Sequence, residues 1–400
     1  MKILFALSMS LSRPGPSVHL LSDVIGYFEK DGTNDVTIIE KDFSATEITH
    51  HGNHIALPFK STNKRFLFAR YNNEIAYLKK IIQYLREKRL SFDAVFVQSS
   101  PVAYVLINYL KKYTKSKIIY NVQDIFPDNL ILLNKRIAFL LLVFAKKALK
   151  AYEKSDLIIT ISDDMRDEIV KKGIKEEKVI TIYNWAPTSI LSKNNTINFF
   201  SKDDRLENKF IVMYAGNIGR FQDIDTILSA ANLIHNEDIK FVIMGDGACT
   251  NRVHEKVDGE KIQNIVFYPP QNFFEMPRVY SSANINIVSL KKGIYRTALP
   301  SKLAFCMEAK KPIIFSIEKE SKVGKLFSNQ SLVFICEPEN ACQMADAITE
   351  VYDLYRGGRL PSIDLNCKIH FDAISSDNYK KYKNAILTLF SEQNDDLEFQ

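Results

Sequence analysis

The chain has 400 residues, of which 46% are hydrophobic and 25% charged, a balance that excludes a mostly disordered protein and predicts two or three domains. Its 14 glycines and 13 prolines are too few for a collagen-like or low-complexity chain. The net charge of +6 is uneven, because residues 51–150 hold 18 Lys and Arg against 5 Asp and Glu. This local excess predicts an anionic partner: phosphate groups, nucleic acid or a membrane surface.

The longest apolar run, residues 137–145, is nine residues long, whereas a membrane-spanning helix needs about 20. We therefore expect no membrane span, and we interpret the apolar N-terminus as a first strand and not as a signal peptide. The 5 cysteines form no CxxC pair, which predicts reduced thiols in a cytoplasmic protein.

Both halves of the chain alternate strand-like and helical segments. In the first half, the predicted strands are residues 2–9, 36–39, 94–98, 117–122 and 157–162, and the predicted helices are 17–30, 71–88 and 135–154. In the second half, the predicted strands are 210–215, 240–244, 265–268, 285–289, 312–316 and 332–335, with helices such as 226–235 and 302–310 and a last helix over 371–390. Repeated β-α units predict parallel sheets, and hence an α/β fold of two Rossmann-like, doubly wound domains.

A polar stretch at 191–207 predicts a linker between an N-terminal domain (1–190) and a C-terminal domain (208–370). We expect the helix in 371–400 to pack back on the N-terminal domain. Two such sheets face a central cleft, and ligands of doubly wound sheets bind at the carboxyl ends of the strands.

Two strand ends in the second half suit an anionic ligand. The segment 214–220 has glycines at 216 and 219, which let the backbone approach a ligand, and Arg220 adds a cation. The segment 298–303 brings the unpaired N–H groups of a helix start together with Ser301 and Lys302. The alternatives are an ordinary strand-to-helix turn and a helix cap with a solvated lysine.

A third strand end, Met244 to Gly247, lacks the third glycine of a dinucleotide-binding fingerprint, since position 250 is Thr250. We predict a tight turn there, with Asp246 lining the cleft. In the first half, Gln123 and Asp124 follow a strand, where a carboxylate is suited to acid/base or hydroxyl-binding work. The alternative for Asp124 is a helix cap.

The segment 13–19 follows the first strand, and its His19 either reaches the cleft or packs at the helix start. Other patterns do not indicate a metal site. His50, His51 and His54 are assigned to a solvated loop, and Asp223 and Asp225 to the first turn of a helix, where acidic residues complement the helix dipole. P-loop, GxSxG and HExxH motifs do not occur.

The predicted helix 135–154 has an apolar middle and basic ends. It is typical of a buried core helix or of a helix that lies on a membrane surface. The basic block around it keeps the membrane interpretation open, whereas no reader motif for nucleic acid accompanies that block.

Four pieces of this sequence together resemble glycosyltransferase family 4 of the GT-B fold, and most of all its members that build bacterial capsule and O-antigen repeats. The pieces are residues 120–128 (YNVQDIFPD), Asn184-Trp185, residues 214–222 (YAGNIGRFQ) and residues 299–303 (LPSKL). The resemblance spans nearly the whole chain, and the third and fourth pieces in this order are its more specific part.

The resemblance implies that the C-terminal domain holds a nucleotide-sugar, which is a UDP-sugar in our prediction, as a co-substrate without any cofactor or metal. The residues assigned to the donor are Gly216, Asn217, Gly219, Arg220, Asp246, Tyr268, Thr297, Pro300, Ser301, Lys302, Leu303 and Glu308. The residues assigned to the acceptor side are Gly15, Pro16 and Gln123. The implied acceptor is a polyprenyl-pyrophosphate-linked saccharide, which predicts a protein on the inner face of the cytoplasmic membrane in peripheral contact with anionic lipid, and no nucleic-acid partner.

The sequence departs from the family pattern at two glutamates that lie eight positions apart, where Thr297 and Phe305 stand here. Glu308, one turn further along, is the expected substitute. Gln222 stands where many members have a lysine.

The predicted reaction is a retaining transfer of a hexose or N-acetylhexosamine. Arg220 and Lys302 are predicted to stabilise the leaving diphosphate, while Asp124, and after it His19, orient hydroxyl groups. The retaining outcome comes from the resemblance alone. Two alternatives are a UDP-sugar 2-epimerase of the same fold and a noncatalytic sugar- or lipid-binding scaffold.

Overall fold

The structure is a computed structural model that describes residues 1–60, 67–134, 136, 138–187, 198–328, 330–360, 374–375 and 377–395. It divides into two compact units. The first comprises Met1–Tyr183, Thr297–Leu299 and Asp377–Gln400, and the second comprises Asn184–Arg296 and Pro300–Ser376. Residues 191–197 of the predicted linker lie outside the described residues, as do 361–373, where the last predicted helix was expected to begin.

The first unit contains an eight-stranded sheet. Its strands are β1 (Lys2–Ala6), β2 (Asp35–Asp42), β3 (Thr49–His51), β4 (His54–Pro58), β5 (Ala94–Gln98), β6 (Lys117–Val122), β7 (Leu157–Thr160) and β8 (Val179–Thr181). They are ordered β3-β4-β2-β1-β5-β6-β7-β8, and every pair is parallel except β3 with β4.

The helices of this unit are α1 (Pro16–Lys30), α2 (Leu67–Glu87), α3 (Tyr104–Tyr113), α4 (Asp128–Leu133), α5 (Ala138–Lys154), α6 (Asp163–Val170) and a C-terminal helix. Strand β5 is buried at all five positions because helices cover both faces of a parallel sheet. Helix α1 begins at Pro16, where a missing N–H costs nothing, and turns Leu21, Ile25 and Phe28 into the core.

The second unit contains a six-stranded, all-parallel sheet. Its strands are β9 (Phe210–Ala215), β10 (Ile239–Met244), β11 (Ile265–Tyr268), β12 (Ile285–Ser289), β13 (Ile313–Ser316) and β14 (Val333–Cys336). Its helices are α7 (Ile224–Leu233), α8 (Thr250–Glu260), α9 (Met276–Ser282), α10 (Lys302–Glu308), α11 (Lys322–Ser328) and α12 (Ala341–Arg356). The strand order β11-β10-β9-β12-β13-β14 reverses direction between β9 and β12, as in the Rossmann fold.

The C-terminal helix, α13 (Asn378–Asp395), packs on α1 within the first unit. Lys383 forms an ion pair with Asp31, and the rings of Tyr379 and Tyr27 meet edge to face with centroids 5.1 Å apart. These contacts hold α13 against α1, and Tyr382 of α13 is buried in the first unit.

Several sequence expectations need correction. His50, His51 and His54 belong to the β3–β4 hairpin and not to a solvated loop, and His54 Nε2 lies 3.0 Å from Glu40 Oε1. The described end of the predicted linker packs on the second unit, since Phe200 is buried against the ring of Tyr268.

The four cysteines that the structure describes, Cys249, Cys306, Cys336 and Cys342, are free thiols. No helix in the described ranges has the length and apolar character needed to cross a bilayer.

Candidate active site

The two loops that meet at the strand reversal of the second unit form the first part of the candidate site. Residues 216–222 follow β9 and residues 290–301 follow β12, and Lys291 N donates to Phe221 O at 2.9 Å. In doubly wound sheets this crevice is where ligands bind. Residues 216–222 are the glycine loop, and the helix after it begins at Ile224, two residues earlier than the sequence predicted.

A second strand-end loop, after β10, is tied to the glycine loop. Gly216 N donates to Met244 O at 2.9 Å, and Ile218 N donates to Asp246 O at 3.0 Å. A Cβ on Gly245 would lie 1.9 Å from Gly216 O, and Gly245 has a φ of +143°, so only glycine fits there. The predicted turn at Met244–Gly247 lies further along the chain, at Gly247–Thr250, where Thr250 N donates to Gly247 O at 3.3 Å, and the residues before it support the glycine loop.

Lys302 is the first residue of α10, and it is 9% exposed. Its Nζ lies 3.2 Å from the centroid of the Tyr214 ring, and it has no hydrogen-bond partner among the described residues. It also lies 3.7 Å from the position that a Cβ on Gly216 would take. The structure thus brings a buried amine directly against the glycine loop.

Burial lowers the pKa of Lys302 from 10.5 to about 7, and the nearby Cys306 thiol opposes this shift weakly. Among the described residues, an ammonium in this position has the face of the Tyr214 ring beside it and no hydrogen-bond partner. An anion that reached Lys302 would supply the missing partner and raise its pKa.

The rest of the glycine loop is shaped by its own contacts. Tyr214 Oη donates to Asn217 O at 2.7 Å, and Asn217 Nδ2 lies 3.5 Å from Gln222 Oε1. Gly219 packs beneath these two amide groups, where a Cβ would lie 2.5 Å from Asn217 Nδ2. Arg220 is exposed at the end of this turn, so its guanidinium is available to an anion at the loop.

Two of the residues predicted at the donor take part in contacts within the second unit. Asp246 accepts a hydrogen bond from Thr250 Oγ1 at 3.0 Å. Tyr268 donates its hydroxyl hydrogen bond to Asp203, whose pKa is lowered by Arg205 first and by this bond second. Both side chains therefore stabilise the strand-end loops by contacts that the sequence did not reveal.

The predicted donor residues around the start of α10 have different environments. Ser301 precedes the helix and its side chain accepts no capping hydrogen bond, so the alternative of a serine helix cap is not seen. Pro300 O accepts a hydrogen bond from Leu303 N at 3.1 Å, and Leu303 itself is buried. Burial raises the pKa of the Glu308 carboxyl.

Phe305, at one position of the family glutamates, is buried with its ring 5.7 Å from that of Phe273 and 5.9 Å from that of Tyr280. Thr297, at the other, is 1% exposed and groups with the first unit, where its carbonyl accepts from Ile125 N at 2.8 Å. Phe305 is thus a core residue, and the backbone of Thr297 has a structural role.

The carboxyl edge of the first unit carries the residues predicted at the acceptor. Gly15 and Pro16 form the start of α1, where His19 is half-buried. Gln123 Nε2 donates to Asn121 Oδ1 at 3.2 Å, which fixes the loop after β6. Strands β1 and β6 are separated by one strand, so His19 and Asp124 follow strands about 10 Å apart at the same edge of the sheet.

Asp124 pairs through its backbone with Ala298 in an antiparallel bridge of the first unit. Its side chain keeps an exposed surface, yet the surrounding protein raises the pKa of its carboxyl to about 7 by desolvation. A carboxyl with this pKa exchanges its proton near neutral pH, which suits a group that accepts a hydrogen bond from a hydroxyl.

The two aspartates of the DxD sequence have structural partners. Asp223 is buried and accepts from Glu339 N at 2.9 Å, while Asp225 pairs with Arg252 at 2.8 Å. The part of the chain that the structure describes contains no cluster of three His, Cys, Asp or Glu side chains that could hold a metal ion.

Two side chains near the strand-end loops of the second unit were not predicted from the sequence to belong to the candidate site. Tyr214 was quoted only as part of a motif, yet its ring is the surface on which Lys302 lies. Glu318 follows β13, accepts from Gly293 N through Oε1, and leaves Oε2 buried without a partner among the described residues. Its position after a strand was the available signal.

Two protein-family models match this chain. The model of the family described as Glycosyltransferase Family 4 matches residues 23–189, and that of Glycosyl transferases group 1 matches residues 209–353. The chain is 26% identical over 304 residues to WbjE of Pseudomonas aeruginosa, which is named a glycosyltransferase, covering 74% of this chain and 75% of WbjE. It is 27% identical over 199 residues to WcaI of Escherichia coli (strain K12), named for glycosyl transfer in colanic acid biosynthesis, covering 48% of this chain and 49% of WcaI.

Solved structures share the fold. Sucrose-phosphate synthase of Thermosynechococcus elongatus superposes with a TM-score of 0.75 at 12% identity, over 98% of this chain and 99% of that one. HepE of Anabaena, solved with UDP-glucose, superposes with a TM-score of 0.69 at 15% identity, over 98% of this chain and 100% of that one. The shared architecture is the GT-B fold.

Proposed function

We propose that this GT-B glycosyltransferase, with a Family 4 domain followed by a group 1 domain, transfers a sugar from a nucleoside-diphosphate donor to a lipid-linked saccharide. The sugar is a hexose or N-acetylhexosamine, the donor is a UDP-sugar, and the anomeric configuration is retained. The pathway is the synthesis of a bacterial surface polysaccharide.

The observation that carries this proposal is the buried amine of Lys302 against the glycine loop. A buried ammonium without a hydrogen-bond partner is costly, so its presence at a ligand-binding strand reversal indicates an anionic ligand. A diphosphate fits because Gly216 leaves the loop backbone open to close approach, and Arg220 provides a second cation on the same loop.

Lys302 and Arg220 accelerate the reaction if they bind the departing diphosphate more tightly than the intact donor. Negative charge develops on the diphosphate as the bond to the sugar breaks, and cations already in place stabilise it at that moment. These two side chains and the loop amides supply this stabilisation in our proposal without a metal ion or a cofactor.

The acceptor side of the proposal rests on the first unit. Asp124 in its ionised form accepts a hydrogen bond from a hydroxyl of the acceptor or of the transferred sugar, and His19 at the same edge assists. Gly15, Pro16 and Gln123 shape the backbone around these two groups. The acceptor itself is a saccharide on a polyprenyl pyrophosphate.

The choice of donor and pathway is supported by similar proteins. HepE has been solved with UDP-glucose, and WcaI is named for colanic acid biosynthesis. An acceptor with a polyprenyl anchor also accounts for the basic character of residues 51–150 and for a location on the inner face of the cytoplasmic membrane.

A panel of nucleotide-sugars, followed by thermal shift and then by product analysis with lipid-linked acceptors, tests the proposal. A ligand at 100 times its Kd adds about 2.7 kcal/mol of stability, so the correct donor will stand out. Lys302→Ala is expected to lower kcat about a hundredfold while the protein stays folded.

Lys292→Ala is the matched control, since Lys292 is an exposed lysine of the neighbouring loop. Equal kcat values for wild type and Lys302→Ala would remove Lys302 from the proposed mechanism. Formation of the C2-epimeric UDP-sugar from the donor alone would identify the epimerase alternative instead.

A further inference from the structure

The N-terminal half of α5 presents a continuous apolar surface to solvent. Phe139 is 80% exposed, Leu140 68%, Val143 59% and Leu142 48%. Single exposed apolar side chains are common on proteins, but four within two helical turns form a patch of the kind that marks an interaction site.

Other side chains of α5 pack the helix firmly on the rest of the first unit. The Phe144 ring lies 5.1 Å from that of Tyr71, and Lys147 Nζ donates to Tyr104 Oη at 3.4 Å. Ala151 and Tyr152 are buried further along the helix. The apolar patch is therefore held in place by a well-anchored helix.

Basic side chains continue the same face of the helix. At 100° per residue, Phe139, Val143, Lys146 and Lys150 fall within about 60° of one another, so they form one stripe along α5. Lys146 and Lys150 are exposed. The lysines begin about 10 Å along the axis from Phe139, at 1.5 Å per residue.

This order of apolar and basic groups matches the surface of an anionic membrane. Interfacial segments insert apolar side chains about 5–10 Å into the boundary between headgroups and acyl chains, while lysines extend to the phosphates. A second copy of the chain is a poorer partner, because residues 136–150 contain no acidic side chain to pair with these lysines across an interface.

We infer that α5 docks the protein on an anionic bilayer, with Phe139, Leu140, Leu142 and Val143 inserted and with Lys146 and Lys150 at the lipid phosphates. The purpose of this docking rests on the proposed function, because a lipid-linked acceptor would arrive from the membrane. Phe126, two residues after Asp124, has its ring 6.5 Å from that of Phe144 on α5. The docking helix thus adjoins the loop that carries the proposed acceptor-binding carboxylate.

Vesicle co-sedimentation of the full chain, without donor or acceptor, tests the inference. The vesicles are phosphatidylcholine alone or phosphatidylcholine mixed with phosphatidylglycerol. Phe139→Gln/Val143→Gln is expected to weaken binding to the mixed vesicles about tenfold or more, since two exposed apolar groups no longer insert. Tyr113→Gln is the matched control, because Tyr113 is 63% exposed at the far end of α3.

The charge of the stripe is tested in the same way. Lys146→Glu/Lys150→Glu is expected to abolish the preference for phosphatidylglycerol. Arg86→Glu/Lys88→Glu carries the same change in charge at the end of α2, about 22 Å or more along that helix from Tyr71, and is expected to retain the preference.

Three results would overturn the inference. One is wild-type binding by the glutamine and glutamate variants of α5. Another is no binding of wild type to phosphatidylglycerol vesicles at low salt. The third is that wild type does not bind vesicles but self-associates, and that the glutamine variant does not self-associate. This result would make the face a contact between copies of the chain.

The proposed function can fail separately. If vesicle binding follows the expected pattern but no nucleotide-sugar yields a glycosylated lipid, the membrane inference stands and the acceptor assignment falls. If a water-soluble acceptor analogue is glycosylated equally by wild type and Phe139→Gln/Val143→Gln, the transfer chemistry is independent of the docking surface.

Discussion

Replacing Lys302 with methionine is expected to stabilise the free protein and to remove donor binding. Methionine keeps the length of the side chain against Tyr214 but has no charge to bury. Burial lowers the pKa of Lys302 from 10.5 to about 7. A shift of this size makes the folded protein less stable at pH 7 by up to about 4 kcal/mol, since each pKa unit corresponds to about 1.4 kcal/mol.

The sign of the pH dependence follows from a folded-state pKa that lies below the unfolded one. Below pH 7 the lysine is protonated in both states, and the folded protein bears the full penalty. Between pH 7 and pH 10.5 the folded protein has released this proton, while the unfolded chain still binds it. That proton stabilises the unfolded chain less as the pH rises, so the penalty on folding falls. At pH 9 the penalty is about 2 kcal/mol, so the advantage of the methionine variant should shrink by about half.

Urea unfolding at pH 7 and pH 9 measures both effects. Trp185, the single tryptophan, is buried in the second unit and reports on its unfolding by fluorescence. Lys292→Met controls for the loss of an exposed charge in the same unit. In a parallel thermal shift with UDP, wild type should be stabilised and Lys302→Met should not.

The reasoning is refuted if Lys302→Met is less stable than wild type at pH 7. It is equally refuted if the difference between the two proteins is the same at pH 7 and pH 9. Either result would mean that the amine already has a partner in the free protein.

Three further predictions concern the pH profile, the loop after β10 and Asp225. The kcat/KM of wild type should be bell-shaped around pH 7, because ionised Asp124 and protonated Lys302 are both required and the pKa of each is about 7. Asp124→Asn should lose the acidic limb and Lys302→Arg the alkaline limb, and a profile unchanged in either variant would contradict these roles. Gly245→Ala should cost more than about 2 kcal/mol in urea unfolding because its Cβ would overlap a backbone oxygen, whereas Gly259→Ala, in open space on a helix, should raise stability by about 0.5–1 kcal/mol. Asp225→Asn should reduce stability by less than about 1 kcal/mol and leave kcat unchanged, with or without EDTA, and inhibition by EDTA would show that a metal takes part.

The buried strands of the second unit were predictable from the sequence. Residues 210–215, 265–268 and 285–289 were predicted with the bounds that the structure gives. Parallel strands covered on both faces require continuous apolar runs, and such runs are visible without knowledge of their neighbours. The start of α10 at Lys302 was visible for a similar local reason, because proline, serine and lysine punctuate a helix start.

Short or exposed elements were not predictable in this way. The β3–β4 hairpin has three histidines and one glycine among its ten residues, and β4 is held as a strand by its pairing with the edge of β2. The α5 helix was recognised as apolar, but periodicity shows which side chains share a face and not whether another element covers that face.

The sequence by itself determined that glycines and a lysine follow strands in the second half, and that these residue types suit a diphosphate. Only the tertiary structure decided that Lys302 lies buried on the ring of Tyr214 beside Gly216, and that Phe305 packs into an aromatic cluster. The difference has a physical reason. Residue type and strand order follow from local pattern, whereas desolvation and pKa depend on which distant side chains crowd around a charge once the chain has folded.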